Sequence, residues 1–157
     1  MPHKILVVDD EESIRKTVSV ILKHAGYAVD TAEKGKQAIE KAQANFYNLA
    51  LIDIRLPDME GTELLAALKE TTPRMAKIIL TGYPTLQNAT RAINKGVDRY
   101  LIKPVNTDEL LKSIKELLEK QKHESEYTEE RVAEFVETRF RQLETKKLDT
   151  TTATKKH

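Results

Sequence analysis

Short apolar runs alternate with longer amphipathic stretches along this chain. Ile5 to Val8 is unbroken and apolar, which predicts a strand buried on both faces. Glu12 to Ala25 carries Ile14, Val18, Ile21 and Leu22 at helical spacing, and Gly26 is a natural stop. Tyr27 to Thr31 predicts a second, weaker strand, and Lys36 to Asn45, with Ala38, Ile39 and Ala42, a second helix. Leu49 to Ile54 predicts a third strand and Leu56-Pro57-Asp58 a turn. After Gly61 a helix runs through Leu64, Leu65 and Leu68 and is closed by Pro73. Ala76 to Thr81 predicts strand four, Leu86 to Lys95 a helix ended by Gly96, and Arg99 to Lys103 strand five. Thr107 is the expected N-cap of a fifth helix, since Asp108 and Glu109 suit the positive end of its dipole. Leu110, Leu111, Ile114, Leu117 and Leu118 form its apolar face.

Regular alternation of strand and helix implies right-handed crossovers and an α/β fold with helices on both faces of a parallel sheet. Periodicity leaves the strand order open. Sites in such folds lie beyond the carboxyl ends of the strands. Asp9, Asp10, Asp53, Thr81 and Lys103 all fall there. Clustered carboxylates repel one another and need a cation to offset the charge. Magnesium takes oxygen ligands, so Asp10 and Asp53 are candidate direct ligands, with Asp9 acting through water. Transfer of a phosphoryl group to a carboxylate needs positioning and charge neutralisation more than covalent help. Metal on one side and Lys103 on the other would supply that, and the Thr81 hydroxyl can donate to a phosphoryl oxygen. Each residue alone has an ordinary reading: a helix cap or loop for Asp9-Asp10, a strand end for Asp53 or Thr81, a turn for Lys103-Pro104. The set, on successive strand ends, is what carries specificity.

Composition narrows the classes. A length of 157 residues favours one domain plus an appendage. With no cysteine there is no disulfide framework and no thiolate zinc site. Twenty-six basic against 25 acidic residues leave a net charge of +1, so direct nucleic-acid binding is not expected. The first apolar run ends in aspartates after a few residues, unlike a signal peptide or membrane span, and a cytoplasmic protein without membrane association is expected. No Gly-x-Gly-x-x-Gly or Walker-type loop follows Val8.

The runs Lys4-Ile-Leu-Val-Val-Asp-Asp10, Leu51-Ile-Asp-Ile-Arg-Leu-Pro-Asp58, Gly61, Ile79-Leu-Thr-Gly82, Tyr100 and Lys103-Pro104 together resemble a response-regulator receiver domain of the CheY-like kind. The resemblance covers about residues 3 to 122. It implies a five-stranded, flavodoxin-like doubly wound sheet in the order 2-1-3-4-5. It also implies magnesium held by Asp10, Asp53 and the backbone carbonyl of Arg55, with Asp9 holding a metal-bound water. Asp53 would accept phosphate from a histidine kinase, assisted by Lys103 and Thr81, in a module that is not a turnover enzyme. A cis peptide between Lys103 and Pro104 is implied as well. Thr81 and Tyr100 would form the switch, with Thr81 moving toward the phosphoryl group and Tyr100 turning inward. The readout face would be the fourth helix, fifth strand and fifth helix. Arg55 and Tyr83 fall where receivers tune phosphoryl lifetime, and both are large. Gly82 is small and should leave the phosphoryl site open.

Past Lys122 the resemblance ends, giving a receiver over 1–122 and an extension over 123–157. His123 to Thr128 reads as a polar joint, and about 129–145 as an extra helix capped by Thr128. Val132, Phe135, Val136, Phe140 and Leu143 form its stripe. The Thr- and Lys-rich end, from Lys146, reads as disordered. The stripe has three readings: packing on its own receiver, pairing with a second copy, or contact with an output partner. Two other functions remain open at this level. One is a magnesium-dependent aspartate-nucleophile phosphohydrolase, although that chemistry prefers Asp-x-Asp to the adjacent Asp9-Asp10. The other is the N-terminal part of a longer DNA-binding regulator.

Overall fold

The computed structural model describes residues 2–155, with side chains except at 127, 128, 131 and 147–155. Five strands, β1 (Lys4–Val8), β2 (Ala28–Ala32), β3 (Leu49–Ile52), β4 (Ala76–Thr81) and β5 (Arg99–Ile102), alternate with helices. These are α1 (Glu12–His24), α2 (Gly35–Ala44), α3 (Gly61–Thr71), α4 (Leu86–Asn94) and α5 (Thr107–Lys155). The sheet is parallel throughout, in the order β2-β1-β3-β4-β5. Two compact units result, Met1–Glu119 and Lys120–His157.

In the first unit the period-two alternation of side chains splits each central strand between two cores. Leu6, Val8, Ala50, Ile52 and Ile79 meet Leu64, Leu65 and Leu68 of α3 on one face. Ile5, Val7, Leu49, Leu51, Ile78 and Leu80 meet Val18 and Leu22 of α1 and Leu110, Ile114 and Leu117 of α5 on the other. Double-sided burial is why these strands read as continuous apolar runs. β2, at the edge, is mostly half-buried, which explains its weaker signal. Lys77 is a charged exception inside β4. Its ammonium donates to the carbonyls of Thr72 (2.8 Å) and Met75 (2.7 Å), and burial pushes its pKa down to about 8.

Three expectations are corrected. β3 ends at Ile52 rather than Ile54, because the chain turns toward α3 where the Ile54 carbonyl accepts from Gly61 N (2.6 Å). The cap of α5 is Asn106, not Thr107: its Oδ1 accepts from the amides of Asp108 (2.8 Å) and Glu109 (3.4 Å). The extra C-terminal helix expected at about 129–145 is present, but the stretches read as a joint at 123–128 and as disordered from 146 are also helical, through Lys155. One helix runs from Thr107 to Lys155. Its sequence holds neither glycine nor proline, and Lys120–Glu124 and Arg141–Glu137 pairs at i,i+4 spacing support it locally. Residues 123–126 are exposed yet helical: polarity lowers burial there, not helix propensity. The Thr128 side chain and residues 156–157 lie outside the described residues.

Candidate functional site

The parallel register delivers the acidic residues to one end of the sheet. β1 and β3 pair Val8 with Ile52, so the residues that follow, Asp9 and Asp53, leave adjacent strands together. Asp53 N donates to the Val8 carbonyl (3.0 Å) and Asp9 N to that of Ala32 (3.1 Å). Asp9 and Asp53 are buried and Asp10 is exposed. Oxygens of all three carboxylates lie within 4.8 Å of one another, a set that can hold a metal ion. The donors are all oxygen, which fits a hard cation.

Lys103 arrives from the end of β5. Thr81 pairs with Ile102, and Lys103 N donates to the Thr81 carbonyl (2.8 Å). The peptide bond to Pro104 is cis. The Lys103 ammonium lies 2.6 Å from Asp9 Oδ2 and 3.7 Å from Asp53 Oδ2, bridging the two buried acids. Asp53 Oδ1 is buried and without a hydrogen-bond partner among the described residues. Burial pushes the Asp53 pKa up to about 6; Lys103 opposes the rise, Asp9 adds to it, the Arg55 amide opposes it and Asp10 adds. An acid held this way favours a partner that brings positive charge and takes up the orphaned oxygen.

Thr81 is fully buried, and its Oγ1 accepts from Tyr83 N (3.0 Å). Tyr100 is half-buried against the core that contains Leu64 and Ile79. Its hydroxyl is buried with no partner among the described residues, and burial raises its pKa. Its ring therefore already lies inward. The Arg55 guanidinium stacks 4.0 Å from the centre of the Tyr83 ring, so the two large side chains form one unit rather than two separate flanks. A Cβ at Gly82 would meet the Lys103 side chain only at 3.9 Å, so glycine is not a steric requirement there. Gly61 is different: a Cβ would strike the Asp53 carbonyl oxygen and lie 2.8 Å from Ile54 Cα. Glycine at 61 is what lets α3 start beneath the acid.

Two positioning residues escaped the sequence reading. Arg15, on α1, donates from Nη1 to the Asp9 carbonyl (2.6 Å) and holds the acidic loop. Asp58, read only as a turn residue, accepts from the amides of Gly35 (2.8 Å) and Lys36 (2.9 Å) and so ties the loop after β3 to the start of α2. The Asp58 contacts reach residues 23 and 22 positions away, whereas Arg15 reaches back only six, across the turn between β1 and α1; helical and strand periodicity marks neither.

The chain is 37% identical over 132 residues to the transcriptional regulatory protein ZraR of Klebsiella oxytoca, covering 83% of this chain and 30% of that protein. Across several curated relatives it spans between 26% and 53% of their lengths. Among solved structures, a CheY-like receiver domain protein from Methanospirillum hungatei JF-1 superposes with a TM-score of 0.78 at 44% identity, covering 79% of this chain and 99% of that one. A Burkholderia pseudomallei response regulator solved with a phosphorylated aspartic acid, calcium ion and citrate gives 0.69 at 30% identity, covering 78% and 72%. Among the described residues no helix is long and apolar enough to cross a membrane. Residues 5–115 match the profile described as the response regulator receiver domain, and on that match the chain belongs to the receiver family of two-component signalling.

Proposed function

We propose that Asp53 is the phosphoacceptor and that the chain is a magnesium-dependent, phosphorylation-controlled switch working in the cytoplasm. The observation that carries this reading is the state of Asp53: buried, raised in pKa, with one oxygen unpaired, between Asp9, Asp10 and the Lys103 ammonium. Asp53 attacks the phosphorus of a histidine kinase's phosphohistidine. The P–N bond breaks, a P–O bond to the carboxylate forms, and the imidazole leaves and takes up a proton. Asp10, Asp53 and the Arg55 carbonyl would hold magnesium directly and Asp9 through water. Bound there, the ion supplies charge neutralisation to the phosphoryl oxygens. Lys103 does the same from the opposite side, and the Thr81 hydroxyl, now an acceptor, turns to donate.

Partner choice would follow from that turn. Thr81 and Tyr100 sit on neighbouring strands, so a shift at one reshapes the surface of α4, β5 and the first part of α5. Leu86 and Ile93 of α4 and Ile102 of β5 are exposed on this unit and offer apolar contact. Output then goes through a protein partner or a second copy, at this face or at the later part of α5, without direct nucleic-acid contact by the receiver. The phosphorylated aspartic acid in the Burkholderia relative supports the assignment of chemistry. Because the chain matches only part of its longer relatives, the same switch would equally serve a longer protein.

Incubation with acetyl phosphate and magnesium, followed by intact mass measurement, tests the reading. One added phosphoryl group is expected on the native chain, none on Asp53→Asn, and none when chelator removes the metal. Undiminished labelling of Asp53→Asn would refute it, and continuous phosphate release from many esters would assign hydrolase chemistry instead.

A further inference from the structure

Late in α5 a seam of positions repeats at alternating steps of three and four: Glu129, Val132, Val136, Arg139, Leu143 and Lys146. That is the spacing at which one helix meets another along a continuous line. Two phenylalanines flank it, Phe135 and Phe140, exposed by 70% and 62%, and the three apolar seam residues are exposed as well. Rows of large exposed apolar side chains mark contact surfaces. Half of the seam is charged, and the order of the charges selects the occupant.

We infer that residues 129–146 pair with the same segment of a second copy of this chain, antiparallel, about a centre between Glu137 and Thr138. In this register Glu129 lies opposite Lys146 of the second copy, Val132 opposite Leu143, and Val136 opposite Arg139, whose aliphatic stem covers it. Phe140 falls beside the small Ala133 of the second copy, and Phe135 beside Gln142. Every charged seam residue meets an opposite charge or an apolar neighbour. A parallel pair in register would instead set Glu129 on Glu129, Arg139 on Arg139 and Lys146 on Lys146, like charge against like at three of its layers. The pattern is self-complementary in one orientation only. This deepens the self-association branch of the proposed function and needs no phosphate on Asp53, so either reading can fail without the other.

Orientation and charge are tested separately, on the full chain. The protein has no cysteine, so introduced thiols report alone. Glu129 and Lys146 stand 17 residues apart, about 26 Å along a helix at 1.5 Å per residue. Neither Glu129→Cys nor Lys146→Cys should therefore form a disulfide dimer by itself, whereas an equimolar mixture should form the mixed dimer. By sedimentation equilibrium Glu129→Lys should weaken the dimer about fivefold, since symmetry applies each exposed charge contact twice. Adding Lys146→Glu should restore it. Efficient self-crosslinking by either single variant, equal dimerisation by Glu129→Lys, or a monomeric mass at every concentration would overturn the inference.

Discussion

Asp53→Asn should stabilise the metal-free protein, and the gain should grow with pH. In the folded chain Asp53 keeps its proton to about pH 6, whereas an ordinary aspartate loses it near 3.8. Between those values the folded state holds more protons than the unfolded one, so stability falls as pH rises. The gap between about 6 and 3.8 is worth about 3 kcal/mol at about 1.36 kcal/mol per pH unit. Nearly all of that penalty is present by about pH 8 and roughly a third of it at about pH 4.5, so the variant's advantage should widen by about 2 kcal/mol across that window. Asparagine keeps the shape of the side chain and removes the charge; the Lys103–Asp9 pair at 2.6 Å remains. Urea unfolding of both proteins in chelator at the two pH values measures the change. Magnesium at about ten times its dissociation constant should then return about 1.4 kcal/mol to the native chain and less to the variant. A variant less stable than the native chain at high pH, or an advantage that does not change with pH, would refute the account of Asp53 as a buried acid strained by its neighbours.

Two further outcomes follow from the geometry. Replacing the stacked pair with Arg55→Asn and Tyr83→Ala should speed loss of the aspartyl phosphate about threefold, the scale of one exposed cation–π contact. A phosphate half-life unchanged or longer by mass measurement would rule out a shielding role. Gly61→Ala should cost about 1–3 kcal/mol in urea, because its Cβ meets the Asp53 carbonyl and the Ile54 Cα rather than a flexible side chain. It should also slow labelling by acetyl phosphate, and normal stability would show that α3 can shift to accommodate a methyl group.

The elements of the receiver were legible because each obeys a local rule. Ile5 to Val8 is apolar throughout and Ala76 to Thr81 nearly so, Lys77 excepted, since both sheet faces are covered, and Gly26 and Gly96 end helices at positive φ, where glycine is at ease. Asp9, Asp10, Asp53, Thr81 and Lys103 could be nominated without coordinates because the carboxyl ends of parallel strands must share an edge. Strand order came from family resemblance, since the amphipathic period of a helix does not say which neighbour its crossover reaches.

Other features depend on residues far apart in the chain. Whether Asp53 keeps an oxygen unpaired, whether Lys103 favours Asp9 over it, and whether Arg55 covers Tyr83 are settled by contacts between residues 28 to 94 positions apart in the chain. Asp58 was invisible for the same reason, and Arg15 because it reaches Asp9 across a turn that periodicity does not describe. The extension shows the converse. Polar residues at 123–128 suggested a break, yet burial and helicity are separate properties, and a glycine- and proline-free chain with i,i+4 ion pairs continues α5 through them. Periodicity along one segment thus determined the elements and the edge where chemistry gathers. Only the packed sheet, by taking Asp53 out of water and leaving one of its oxygens without a partner among the described residues, decided the state of that acid.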